Sequence, residues 1–150
     1  MTINTVATSQ SPDAKPVAVS RTLTTNYMTI ISAPNFEIPE LVFGGSVIAA
    51  PGIAEVISPL IISNKTSGTV FVDIRVYRFN DYSTNPPTLI DSVFSLATNL
   101  PIPEFDSLAF PLNGQFFYNG DLLEVKASSN GSLDVTVSYT IGQAEEFLED

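Results

Sequence analysis

The side chains able to do chemistry in this chain are carboxylates and little else: sixteen Asp and Glu, no His and no Cys. Without imidazole or thiol, neither a Ser-His-Asp nor a Cys-His nucleophile system can be assembled, nor can an ordinary zinc site. Paired carboxylates remain, as in glycoside hydrolysis, and the candidates are Glu104 with Asp106 and Glu124 with Asp134. Surface electrostatics is the preferred explanation for them. Glu124 and Lys126 fall on the outer face of one expected strand and Asp134 on the outer face of its expected neighbour, where cross-strand charge pairs are routine. For calcium, Asn80-Asp81 with Asn85 is the one local oxygen cluster, and it lacks the D-x-[DN]-x-[DN]-G order. Gly44-Gly45 stands isolated without a lysine nearby, so it is no phosphate loop. The expectation is a non-enzymatic chain with no cofactor and no metal.

Aromatic rings are the remaining functional candidates. Tyr77, Phe79 and Tyr82 lie close together, as do Phe116, Phe117 and Tyr118. Rings in such groups fill a core, anchor a protein interface, or stack on sugar faces, a role usually taken by Trp, of which this chain has none. Interface anchoring is the preferred functional reading. The candidate interface residues are Val6, Val17, Val19, Phe71, Tyr77, Phe79, Tyr82, Phe116, Phe117 and Tyr118.

The elements that would position these residues are strands. In Leu133–Ile141 apolar and small polar residues alternate without a break, the period of a strand with one face in a core and one in water. Its outer residues Thr136, Ser138 and Thr140 are small and polar, so this strand is not expected to bind anything. Val70, Val72, Ile74 and Val76 alternate in the same way, leaving Phe71, Asp73, Arg75 and Tyr77 outward; cover for Phe71 and Tyr77 is expected from the same chain in preference to another subunit. Further strands are expected at Val17–Thr24, Tyr27–Ser32, Ile53–Val56, Leu60–Asn64, Leu89–Leu96 and Leu122–Ala127, with short extended pieces inside loops at Glu40–Phe43, Ser46–Ala50 and Ser107–Phe110.

Turn formers separate them. Pro34, Pro39 and Gly44-Gly45 break one region, Pro51-Gly52 marks a turn, and Pro59 demands an edge, a bulge or a sheet crossing. Asn64–Gly68 reads as a hairpin connection, and Asn130-Gly131 as the turn of a final hairpin joining Leu122–Ala127 to Leu133–Ile141. Asn80–Pro87 reads as a polar loop. Asn113-Gly114 and Asn119-Gly120 are turns. The expected architecture is an all-β antiparallel sandwich, jelly-roll-like, of seven to nine short strands over residues 17–142. Residues 1–16 form either a frayed terminus or an extended arm that orders on a neighbouring subunit. Residues 143–150 are an acidic tail, solvated or forming one helical turn.

A chain of 150 residues with 44% hydrophobic and 15% charged side chains fits one folded domain. By area scaling it can bury roughly 70% of its unfolded surface. Six basic residues against sixteen acidic ones give a net charge of −10. The basic residues are scattered, so nucleic-acid binding, which needs a basic footprint, is not expected. The first residues have no basic group followed by an apolar run and do not read as a secretion signal. The apolar stretch Ile53–Ile62 is interrupted by Glu55, Ser58 and Pro59, so no membrane span is expected. The sequons at Asn64 and Asn130 are read as turn residues.

Four segments then carry a resemblance: Ile62–Val70, Asn99–Pro103, Asn119–Ala127 and Asp134–Tyr139. Their order of asparagine turn, strand, proline kink, glycine-aspartate, strand and final strand resembles small β-sandwich virion proteins of tailed bacteriophages, over roughly residues 60–141. The resemblance implies a multi-copy accessory component of a virion, a capsid decoration protein or a neck or tail protein. Its partners would be copies of itself and the capsid, neck or tail subunits, with neither nucleic acid nor membrane.

Overall fold

The computed structural model describes residues 2–4, 15–33, 41–43, 46–48, 52–81, 88–118, 120–143 and 147–149. Among them every regular element is a strand: β1 (Thr2–Asn4), β2 (Lys15–Thr22), β3 (Met28–Ser32), β4 (Leu41–Phe43), β5 (Ser46–Ile48), β6 (Gly52–Val56), β7 (Leu60–Asn64), β8 (Val70–Asp81), β9 (Thr88–Ile102), β10 (Ser107–Phe110), β11 (Phe116–Tyr118), β12 (Leu122–Ala127), β13 (Leu133–Gln143) and β14 (Phe147–Glu149). All pairings are antiparallel. Six strands form one large sheet and four form the other, in the order β3-β12-β8-β9, while β1 with β14 and β4 with β5 make separate two-stranded sheets. The chain is an all-β sandwich.

In the six-stranded sheet, β13 pairs with β2 along one side. Along its other side it pairs with β6 and β7, which lie end to end. Beyond them β11 pairs with β6 and β10 with β7. The interruption is Pro59, which has no N–H to give to a ladder. Tyr139 is opposite Val56 and Thr136 opposite Ile61, so residues 57–60 bow out against Val137 and Ser138. The Ser58 hydroxyl fills the gap by accepting from the Ser138 N–H at 2.8 Å, and the Ile57 N–H donates to the Ser138 carbonyl at 3.0 Å. Ten segments therefore occupy eight strand positions, and successive positions alternate between sheets everywhere except at β8–β9. That interleaving is the jelly-roll-like order.

Both expected hairpins are corrected by this order. Asn64–Gly68 joins β7 to β8, and residues 128–132 join β12 to β13, yet each pair of strands belongs to opposite sheets. The turn residues mark where the chain reverses; they do not say whether the two strands end side by side or face to face. Asn64 shows how the crossing is held. Its buried side chain donates to the carbonyls of Gly68 (2.8 Å) and Ile102 (2.9 Å) and accepts from the N–H (2.9 Å) and hydroxyl (2.7 Å) of Thr66. In the second arch Asn130 accepts from the Thr25 N–H at 2.8 Å, and Gly131, at φ +71, donates to the Leu23 carbonyl at 3.0 Å. Only glycine adopts that φ at no steric cost.

Between the sheets lies one core. Leu23, Ile31, Ile62, Val72, Ile74, Ile102, Phe117, Leu123, Leu133 and Val135 are fully buried in it. Each side chain of this size stabilises by about 1.5–3 kcal/mol on burial. The inward sets of Val70–Val76 and Leu133–Tyr139 are buried as the alternation requires. Three further expectations are revised. β14 replaces the helical turn in the acidic tail and pairs with β1, so Thr2–Asn4 finds a partner in its own chain. Asn80 and Asp81, expected in a loop, extend β8 and pair with β9. β9 runs on through Pro101, which an edge strand tolerates. The expected breaks at Pro34, Pro39, Gly44-Gly45, Pro51 and Asn119 lie outside the described residues.

Candidate interaction site

β9 is an edge strand, and its ladder with β8 shapes the surface it presents. The register slips three times, between Val72 and Ile74, between Ile74 and Arg75, and between Arg78 and Asn80. The slips account for the lengths of the two strands, 12 residues in β8 against 15 in β9. Extra residues on an edge strand twist it away from open-ended pairing. Leu96 is one of them, lying between Ser95 (opposite Arg75) and Ala97 (opposite Ile74). Around it the edge exposes apolar groups on both sides: Val93, opposite the outward Tyr77, is 49% exposed, Phe94, opposite the inward Val76, is 48% exposed, and Leu96 is 42% exposed. No charged residue falls between Ser92 and Ile102.

A second uncharged surface lies on the opposite sheet. Where residues 57–60 bow outward, a groove of ≈ 360 Å³ opens over the outer faces of β2 and β13, between Ala18, Ser20, Thr136 and Ser138 on its floor and Pro59 and Ile61 at its side. The strand expected to bind nothing thus lines a groove. Its small side chains create the space, and a proline distant in sequence builds the wall.

The outer face of the four-stranded sheet is different. The Arg75 Nε lies 3.0 Å from the Glu124 Oε1, and the Lys126 Nζ lies 3.7 Å from the Asp73 Oδ2. Both cations also sit over the Tyr27 ring, at 3.6 Å and 4.7 Å. Away from this face, two residues on from the inward Val76, Arg78 reaches the fully buried Asp121 at 4.0 Å. These pairs neutralise three of the chain's six cations against its own carboxylates. At the rim of this face a cleft of ≈ 250 Å³ opens beside Phe71, Asp73, Asn99 and Lys126.

The proposed pair of Glu124 and Asp134 is not brought together. Glu124 lies on β12 and Asp134 on β13, in different sheets, and each has its own cation. Asp134 accepts from Thr22 at 2.7 Å and from Lys65 at 3.1 Å, and the hydrogen bond from Thr22 leads in holding its carboxyl below the ordinary range. Asp106 caps a turn, accepting from the Ser107 N–H at 2.8 Å. Among the described residues no three acidic groups gather as metal ligands.

Of the expected interface residues, Val17 and Val19 face inward from β2 and pack on the core. Phe71 is 42% exposed, without the cover expected from its own chain. Tyr77 is half-buried on the outer face, opposite Leu122 and Val93. Phe79 is in β8, and Val6 and Tyr82 lie outside the described residues. Phe117 is a correction: successive residues of β11 face opposite ways, and it is fully buried in the main core. Phe116 and Tyr118 instead pack on the buried Ile53 in a satellite cluster. Burial, the largest influence, raises the Tyr118 hydroxyl above its ordinary range; Arg78 opposes that and Asp121 adds to it. Sequence reasoning missed Val93, Phe94, Leu96 and Phe105. The last is 70% exposed at φ +50, a conformation unfavourable for a bulky residue. Three consecutive positions without charge on an edge, Val93-Phe94-Ser95, were the available signal.

No family model, no curated protein and no solved structure matches this chain.

Proposed function

We propose that this chain is a non-enzymatic structural protein of a virion, present in many copies, that binds the assembled particle and strengthens or extends it. The virion assignment is supported by the resemblance of residues 60–141 to phage accessory proteins. The jelly-roll-like order agrees with it, since capsid domains use that order; lectin and cupin domains use it too, so fold alone does not choose. The observation that carries the assembly reading is the pair of uncharged surfaces on a chain of net charge −10. Copies so acidic repel one another broadly, and they approach most easily where charge is absent. The β9 ridge supplies exposed apolar side chains, and the groove over β13 supplies small ones and space. A ridge seated in the groove of the next copy is a head-to-tail contact, which closes into rings or runs on as an array.

The chain has no cysteine, so the contact can be trapped without background. Leu96→Cys combined with Ser20→Cys gives covalent multimers on mild oxidation; monomers alone would reject the ridge-and-groove contact. The virion assignment has its own test in quantitative mass spectrometry of purified particles. On the order of hundreds of copies indicates decoration and rings of about six or twelve indicate neck or tail, while absence from the particles overturns the assignment.

A further inference from the structure

The cleft beside Phe71 has a composition unlike either uncharged surface. One wall is the half-exposed phenyl ring of Phe71 on β8. Around it stand the Asp73 carboxylate, the Asn99 amide, the Lys126 ammonium and the Ser128 hydroxyl. Three strands and an arch supply them: Phe71 and Asp73 from β8, Asn99 from β9, Lys126 from β12, and Ser128 from the start of the β12–β13 connection.

The cleft is also built rigidly. Asn99 adopts a left-handed conformation, φ +50, one of the register slips of β9. Its N–H donates to the Asp73 Oδ1 at 2.6 Å, which fixes the slip and leaves the Asp73 Oδ2 toward Lys126 at 3.7 Å. Ser128 holds the other end, its hydroxyl accepting from the Phe71 N–H at 3.0 Å while its own N–H donates to the Phe71 carbonyl at 2.8 Å. With its N–H engaged, the exposed Asn99 side-chain amide makes no hydrogen bond to another of the described residues, and it lines the cleft with two donors and one acceptor.

We propose that this cleft binds a neutral hexopyranose, free or as a unit of a surface polysaccharide. An apolar platform beside a few fixed polar groups that both donate and accept is what a sugar ring requires, since one of its faces is C–H and its rim is hydroxyl. Phe71 stacks on the C–H face. Asn99, the Asp73 Oδ2 and the Lys126 ammonium share the hydroxyls. Lys126 and Asp73 neutralise each other, and the chain as a whole repels anions, so the ligand is an uncharged sugar. This site is independent of the contact between copies and stands or falls separately from it.

The test titrates the ¹⁵N-labelled full chain with the methyl glycosides of glucose, galactose, mannose and N-acetylglucosamine, with glucuronate as the charged control. At least one neutral glycoside is expected to shift the Asn99 side-chain amide and the Phe71, Asp73 and Ser128 amides together. Phe71→Ala and Asn99→Ala each weaken binding at least tenfold with the amide spectrum otherwise retained, and Phe71→Tyr restores it. Phe94→Ser, on the distant ridge, leaves it unchanged. Absence of shifts with all four neutral sugars, shifts that map elsewhere, or full affinity in Phe71→Ala would overturn the proposal, and tighter binding of glucuronate would overturn its charge assignment.

Discussion

The outer faces of the two sheets share a core and little else. Over β13 and β2 the outward residues are Ala18, Ser20, Thr136 and Ser138, all small and uncharged. Over β8 and β12 they are Asp73, Arg75, Glu124 and Lys126, joined in pairs across the ladder and stacked on Tyr27. Inward the two sheets look alike, because burial asks only for apolar volume. Outward, nothing in folding required the difference. One face pairs its charges internally, while the other is small-sided and uncharged, the surface on which the proposed contact between copies rests.

The separation depends on the arches that send successive strands to opposite sheets, and breaking an arch has the largest effect. Asn64→Ala leaves two carbonyls and an N–H without their partners, and about 2–3 kcal/mol of stability is lost, measured by urea unfolding. Next in size is a charge placed on the small face. Thr136→Asp, at an exposed position, weakens association between copies at least tenfold in sedimentation while leaving unfolding within about 0.5 kcal/mol; Glu124→Gln, on the charged face, leaves association unchanged. A double-mutant cycle on Arg75 and Glu124, which are 31% and 16% exposed, gives a coupling of about 0.5–1 kcal/mol that shrinks with salt.

The smallest effect is at Asp134. Its folded carboxyl titrates below its unfolded value, so it contributes stability above the unfolded value, lost as pH falls through the folded one. Asp134→Asn therefore flattens the acid limb of the stability profile below about pH 4 and changes nothing at neutral pH beyond the small loss of an exposed pair. Equal acid limbs in the two proteins would show that this pair does not couple to folding. Tyr139 works in the other direction. Burial raises its hydroxyl, so its contribution is present at neutral pH and declines as pH rises past the ordinary tyrosine range of about 10.

Strand existence was legible because alternation is a local property. Leu60–Asn64, Ser107–Phe110 and Leu122–Ala127 have the ends their sequence implies. Partnership was not legible. Asn130-Gly131 is an equally good turn for a hairpin or an arch, and the choice is made by packing between residues far apart in sequence. The groove arises where Pro59 meets Ser20 and Thr136, a conjunction no window of sequence contains. Phe117 was misassigned because a run of three rings reads as one patch, while a strand deals them to opposite faces. Phe71 was placed outward correctly, but its exposure depends on what covers it, which the alternation does not encode.

β13 also has a position in time. It pairs with β2, β6 and β7, and it follows every one of them in the chain. As the polypeptide leaves the ribosome, those three strands have no centre to assemble on until residues 133–143 emerge. Closure of the six-stranded sheet is then a single late event fed by long-range contacts, the kind of topology that folds slowly. Until that moment the strands that await β13 share the exposure with the edge of β9, whose three register slips already discourage pairing by another chain.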